Sequence, residues 1–409
     1  MAAWLAILAA VHASGLVTVD HCPAGSAASV CLVVGLDPCD IAPAKRGVDA
    51  VFTQALLGQI SNALTQETAT AKALRTAVPP RRGVQLIRDL QYLAVTLNCR
   101  ADALPLALDF IAEQVLATKL DEKAVEEAKH ATLLRRDEWA RDVVEPTQEL
   151  FERALYRGLW PDAFYGTPET IGSVTLADVN AFARRVLVRD NVRLALVVPQ
   201  EPQMLAARAE KVMNELPEGR RRGPVILAQE KRIAVRDNPA LGRASLVVGG
   251  PIPSFGEKGY WAACVLRQML SGAQGTLMRD RQLTSQLGLF IPPSLTPAEW
   301  PVQPLEVPVC DAPYLAVYAL CHPVRIEPVR AAIVSHLEAF AEGKFSDADF
   351  DRGRLRAANA WAVRTAAPRD RAFLLAITSL MGTQLPDARQ AAQVLETVTR
   401  DDVMAVARG

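Results

Sequence analysis

YRGLWPDAFYGTPETIGSVTLADVNAFARRVLVRDNVRLALVV, residues 156–198, is the stretch from which the fold can be read. An aromatic turn, Trp160-Pro161-Asp162-Ala163-Phe164-Tyr165-Gly166, leads into a short helix around Pro168–Ile171. A second helix opens at Thr175, with Asp178 three residues on. That is the spacing of a capping box, in which each side chain satisfies a backbone N–H of the other residue. Val179, Phe182, Ala183 and Val186 then recur at helical spacing on one apolar face. Val192–Val198, between Asn191 and Pro199, is a nearly continuous apolar run, the pattern of a buried strand.

The second helix recurs at the end of the chain. Val174, Thr175, Asp178, Val179, Ala181, Ala183 and Arg184 return as Val398, Thr399, Asp402, Val403, Ala405, Ala407 and Arg408, an offset of 224. Upstream, Lys119-Leu120-Asp121-Glu122 is matched by Lys344-Phe345-Ser346-Asp347 at 225, and each opens a long charged helix. A period this long is not that of solenoid units, which run about 20–50 residues, but of two copies of one domain. The expected division is residues 1–216, a linker at 217–231 and residues 232–409. Arg220-Arg221-Arg222 in the linker reads as solvated charge.

Between these landmarks, Ser29–Val34, Leu90–Asn98, Arg232–Val235, Ala244–Gly249 and Tyr314–Cys321 read as strands. Gly47–Leu57, Leu104–Thr118, Glu122–Val144, a helix from Glu145 through Leu155, Glu201–Leu216, Lys258–Leu270, Glu327–Ala341 and Asp347–Thr365 read as helices. The fold class is therefore α+β. The six prolines of Pro292–Pro308 exclude a central strand and predict an extended surface loop. The second copy has no counterpart of the strand at 192–198, so a partner strand is missing or comes from elsewhere, such as the N-terminal segment.

Composition narrows the function. Half of the 409 residues are hydrophobic, and 45 basic residues balance 45 acidic ones. Zero net charge argues against nucleic-acid binding, which rests on a basic excess. The seven cysteines form no C-x-x-C pair, and several lie within apolar runs, as reduced thiols do in a reducing compartment. His21 with Cys22, Cys31 and Cys39 is the one metal-like grouping, and its spacing fits no zinc pattern. Met1–Val19 carries no Asp, Glu, Lys or Arg. It reads best as a β-hairpin, Leu8–His12 and Leu16–Val19 around Ala13-Ser14-Gly15. A signal remnant ending at Val11-His12-Ala13 and a membrane span are the alternatives.

With the helix order, the repeat and the 156–191 stretch together, the chain resembles the insulinase/mitochondrial processing peptidase family, peptidase family M16, from Ser14 to Gly409. The resemblance implies two homologous M16-like α+β domains, each a mostly antiparallel sheet packed with helices. Active members carry His-x-x-Glu-His on a helix, two zinc ligands and a general base. Arg46–Leu57 aligns with that helix, and the three positions hold Ala50, Thr53 and Gln54. The third ligand belongs near Leu133–Arg135, where no carboxylate stands; Glu126 and Glu127, two turns away, read as a solvated face. Arg281 aligns with a substrate-gripping Arg, but Leu289 or Phe290 replaces the accompanying Tyr, and Ser271–Gly275 is a poor counterpart of the α subunit's glycine-rich loop.

The resemblance thus implies a catalytically dead homologue with no metal and no cofactor. Non-catalytic members serve as core subunits of respiratory complex III, as α subunits of the processing peptidase, or as inactive partners in bacterial two-subunit peptidases. The weak glycine loop, the missing Tyr and the segment Leu90–Val115 rank the core subunit first. That role implies a sister M16-family chain of the β type and cytochrome-bearing neighbours. It also implies attachment through protein contacts to the matrix side of the mitochondrial inner membrane.

Overall fold

The computed structural model describes residues 12–13, 15–22, 27–78, 83–159, 164–199, 203–223, 226–228, 234–235, 242–271, 275–280, 283 and 302–409. The chain forms two compact units. One comprises Met1–Arg136, Pro161–Pro224 and Arg364–Leu385; the other comprises Asp137–Trp160, Val225–Val363 and Pro386–Gly409. These differ from contiguous halves, because a helix of each half belongs to the unit built mainly from the other. Glu145–Leu155 lies in the second unit and Pro368–Met381 in the first. The contiguous division at 217–231 is retained as a proposal about the two sequence copies.

The first unit is built on a sheet of six described strands. They are β1 (His12–Ala13), β2 (Val17–His21), β3 (Ala27–Gly35), β4 (Val84–Arg88), β5 (Tyr92–Arg100) and β6 (Val192–Val198), in the order β1-β2-β6-β3-β5-β4. Only the β2–β6 pairing is parallel. The N-terminal hairpin is present in short form: His12 pairs with Val19 and Ala13 with Thr18, with Gly15 at φ 81° in the turn between. The part expected at 8–11 lies outside the described residues. The N-terminal strand therefore completes the first sheet rather than the second.

Alternation along these strands makes two buried faces. On one face Leu32 stands between Val95 and Leu194, and Val30 between Leu97 and Leu196, in the main core. Helices Val48–Thr65, Leu104–Ile111 and Leu176–Val186 contribute Phe52, Leu56, Leu108, Val179 and Phe182 to that core. The Phe52 and Phe182 rings meet at 5.5 Å. The other face presents small side chains in register: Cys31 between Thr96 and Ala195, and Val33 beside Ala94. Small residues let a helix approach closely, and Pro368–Met381 occupies this face, burying Leu374, Leu375, Ile377 and Leu380. Arg371 on this helix forms an ion pair with Asp20 of β2, whose side chain is fully buried.

The repeat is exact in its caps. Thr175 Oγ1 accepts from Asp178 N at 3.3 Å, and Asp178 Oδ2 accepts from Thr175 N at 2.9 Å. Thr399 and Asp402 do the same at 3.3 and 2.7 Å, opening helix Arg400–Arg408. Each cap carboxylate also binds a lysine at the start of another helix: Lys45 ahead of Val48–Thr65 at 2.8 Å, and Lys258 of Lys258–Leu270 at 2.7 Å. The two 20-residue helices Glu122–Arg141 and Asp347–Ala366 are likewise capped alike, Ala124 N donating to Asp121 Oδ1 and Asp349 N to Ser346 Oγ.

The second unit contains a described sheet of β7 (Ala244–Pro251), β8 (Val302–Pro304) and β9 (Tyr314–Cys321), all antiparallel in the order β7-β9-β8. The proline-rich segment departs from expectation here. Val302–Pro304 is an edge strand, a position proline tolerates, and Val302, Val307 and Val309 are buried. Residues 292–301 lie outside the described set. Of the strand expected at Arg232–Val235, the described residues 234–235 are irregular and exposed. Helix Glu145–Leu155 and the residue after it, Tyr156, make polar contacts with β7, β9 and the segment before β9. Tyr314 OH donates to Glu152 Oε1 at 2.9 Å, Thr147 bonds Ser245, and Tyr156 OH donates to Ala312 O at 2.8 Å.

The linker backbone is anchored in part. Arg222 N donates to Asn191 Oδ1 at 3.0 Å, and buried Asn191 donates through Nδ2 to Gly35 O and Val186 O. Arg189 N bonds Pro217 O at 2.9 Å. Residues 217–223 are thus pinned to the first unit. Among the described residues no helix is long and apolar enough to cross a membrane. Among the described residues no cysteine forms a disulfide, and burial pushes the Cys31 and Cys99 thiols up to about 12.

Two measurements check this account. Arg371→Ala strands a buried carboxylate and is expected to cost about 3 kcal/mol in chemical denaturation, a loss that adding Asp20→Leu substantially restores. Burial opposes the charge on Asp178 and Asp402, but hydrogen bonds from Lys45 and Thr175, and from Lys258 and Thr399, outweigh it and hold both carboxyls below their usual range. Their stabilisation is therefore complete above about pH 4 and is lost as the pH falls through the lowered folded values. Thr175→Ala or Thr399→Ala is expected to cost about 1 kcal/mol at pH 7.

Candidate functional site

Helix Val48–Thr65 starts where the chain is held by backbone contact. Gly47 has φ 91°, and a Cβ there would stand 2.4 Å from Tyr165 O; a Cβ on Gly166 would stand 2.6 Å from Arg46 O. Only glycine admits this approach, so the Phe164–Gly166 turn sits directly on the helix entrance. Arg136 Nε, from helix Glu122–Arg141, donates to Gly166 O at 3.0 Å. Three elements thus converge on the first turn of this helix.

The side chains within that frame are not metal donors. Ala50 is 2% exposed. Thr53 is buried, and its Oγ1 donates back to Asp49 O at 2.7 Å. Gln54 is half-buried. On the neighbouring helix, Leu133 packs against the core, Leu134 and Arg135 are exposed, and Thr132 Oγ1 bonds Ala128 O. Glu126 and Glu127 are exposed and pair with Lys129 and Lys123. An alanine, a threonine committed to its own helix and an amide do not fit tetrahedral zinc, which takes His, Cys or carboxylate ligands. Among the described residues no three His, Cys, Asp or Glu side chains form a metal-sized group.

Sequence reasoning missed the pair that occupies this place. Asp49, one residue before Ala50, accepts from Arg88 Nε at 3.1 Å and Nη2 at 2.6 Å through Oδ2. Both side chains are nearly buried. The Arg88 guanidinium lies 5.9 and 5.8 Å from the Phe164 and Tyr165 ring centroids, a cation–π arrangement that favours a desolvated charge. The one sequence signal was an acidic residue in the helix's first turn, which ordinarily serves the helix dipole.

The other predicted positions do not assemble. His21 Nε2 lies 3.3 Å from Pro199 O, Cys31 is buried against Thr96 Oγ1, and Cys39 is exposed. Arg281, Leu289 and Phe290, and residues 272–274 of the Ser271–Gly275 loop, lie outside the described residues.

Residues 173–356 match the family described as the peptidase M16 inactive domain. A comparison with curated proteins gives no match. Among solved structures, a chain of complex III2 from Candida albicans is 16% identical with TM-score 0.74, covering 96% of this chain and 90% of that one. A protease from Helicobacter pylori is 15% identical with TM-score 0.77, covering 96% and 94%. A peptidase M16 inactive domain from Pseudomonas fluorescens is 14% identical with TM-score 0.74, covering 97% and 93%. The likeness to the peptidase M16 inactive domain thus covers residues 173–356. Over nearly its whole length its fold is the mixed helix-and-sheet fold of M16 proteins.

Metal analysis of the purified protein is expected to find no stoichiometric zinc, and peptide hydrolysis by the isolated chain to stay at background. One equivalent of zinc that disappears in Gln54→Ala would overturn the assignment of Ala50, Thr53 and Gln54 as a lost metal site.

Proposed function

We propose that this protein is a non-catalytic structural core subunit of mitochondrial respiratory complex III, in the manner of core protein 2, supporting assembly and stability of the complex. The observation that carries the reading is the first turn of helix Val48–Thr65. The backbone frame around it is kept by Gly47, Gly166 and Arg136, while Asp49 and Arg88 neutralise each other beside non-ligating Ala50, Thr53 and Gln54. A chain that retains both packed units without the hydrolytic groups retains what a scaffold needs.

On this reading the partner is a sister M16-family chain, with cytochrome-bearing subunits as further neighbours. The chain lies on the matrix side of the inner membrane and is attached through protein contacts. A lasting interface of this kind buries more than about 2,000 Å². Similarity in fold to the Candida albicans complex III2 chain supports the assignment. The fold similarity to the Helicobacter pylori protease and the Pseudomonas fluorescens inactive domain favours a second reading, the non-catalytic half of a heterodimeric M16 zinc peptidase.

Isolation from the source in mild detergent separates the two. Co-migration with haem-bearing subunits and a sister chain is the expected outcome. A complex free of cytochromes, containing one subunit with an intact His-x-x-Glu-His, selects the second reading.

A further inference from the structure

We draw no further inference here: the strongest candidate, the basic side-chain cluster of Arg189, Arg193 and Arg221 around the start of β6, carries no anion site, because Arg189 donates to Asn214 O and Leu216 O while Arg193 donates to the separate carbonyls of Arg189, Asp190 and Val192, and Arg221 is tied to them only through the pKa of Arg193, which burial first and Arg221 second hold below the usual guanidinium value.

Discussion

The first unit depends on one non-local contact, the seating of helix Pro368–Met381 on the small-residue face of its sheet. Cys31, Ala94 and Ala195 leave room for the helix, and Leu374 and Ile377 fill it. Without that helix the sheet would present an apolar face to water, a burden of about 25 cal/mol for each Å² exposed. The Asp20–Arg371 pair sits within the same contact. A buried ion pair contributes little net stability, yet it penalises any seating that leaves Asp20 alone. We read it as the feature that fixes the helix's position along β2, while the apolar residues hold it there.

Such a scaffold does not depend on metal-binding side chains in the first turns of helix Val48–Thr65. Ala50 and Thr53 face inward, where a small residue and a self-satisfied hydroxyl cost nothing in packing. Asp49 is balanced by Arg88, and the aromatic turn shields the pair. The backbone clamp at Gly47 and Gly166 belongs to the fold rather than to any reaction, and it is intact. Position and reactivity are thus carried by different atoms.

Much of this was legible in the sequence wherever local signals and tertiary demand agree. The capping boxes at Thr175 and Thr399 are there, strand β9 spans the residues its apolar run marked, and so does helix Lys258–Leu270. What was not legible depends on partners far away in the chain. Pro368–Met381 is covered on much of its circumference, so its apolar residues form no simple stripe. β4, VQLIR, is short and half-exposed at a sheet edge. Arg222 stands in a stretch whose Pro, Gly and Arg content signals a solvated linker, and only the buried amide of Asn191 reveals its anchor. Of the candidate site, Ala50, Thr53 and Gln54 could be placed on one helix from the sequence, and the structure has them on helix Val48–Thr65. The Arg88 partner of Asp49, 39 residues on, could not be placed.

The discontinuous make-up of the units bears on how the protein is made. A chain leaves the ribosome from its N-terminus, and most domains close as soon as their own residues have emerged. Here the first unit cannot close in that way, because Arg364–Leu385 belongs to it and is synthesised well after its sheet. Its sheet can pair early through β3, β5 and β6, but one face stays bare until Pro368–Met381 arrives. The nascent chain therefore carries an exposed apolar sheet face until Pro368–Met381 has emerged. Emergence of Arg364–Leu385, rather than of the first half, is therefore the step at which the first unit can become native.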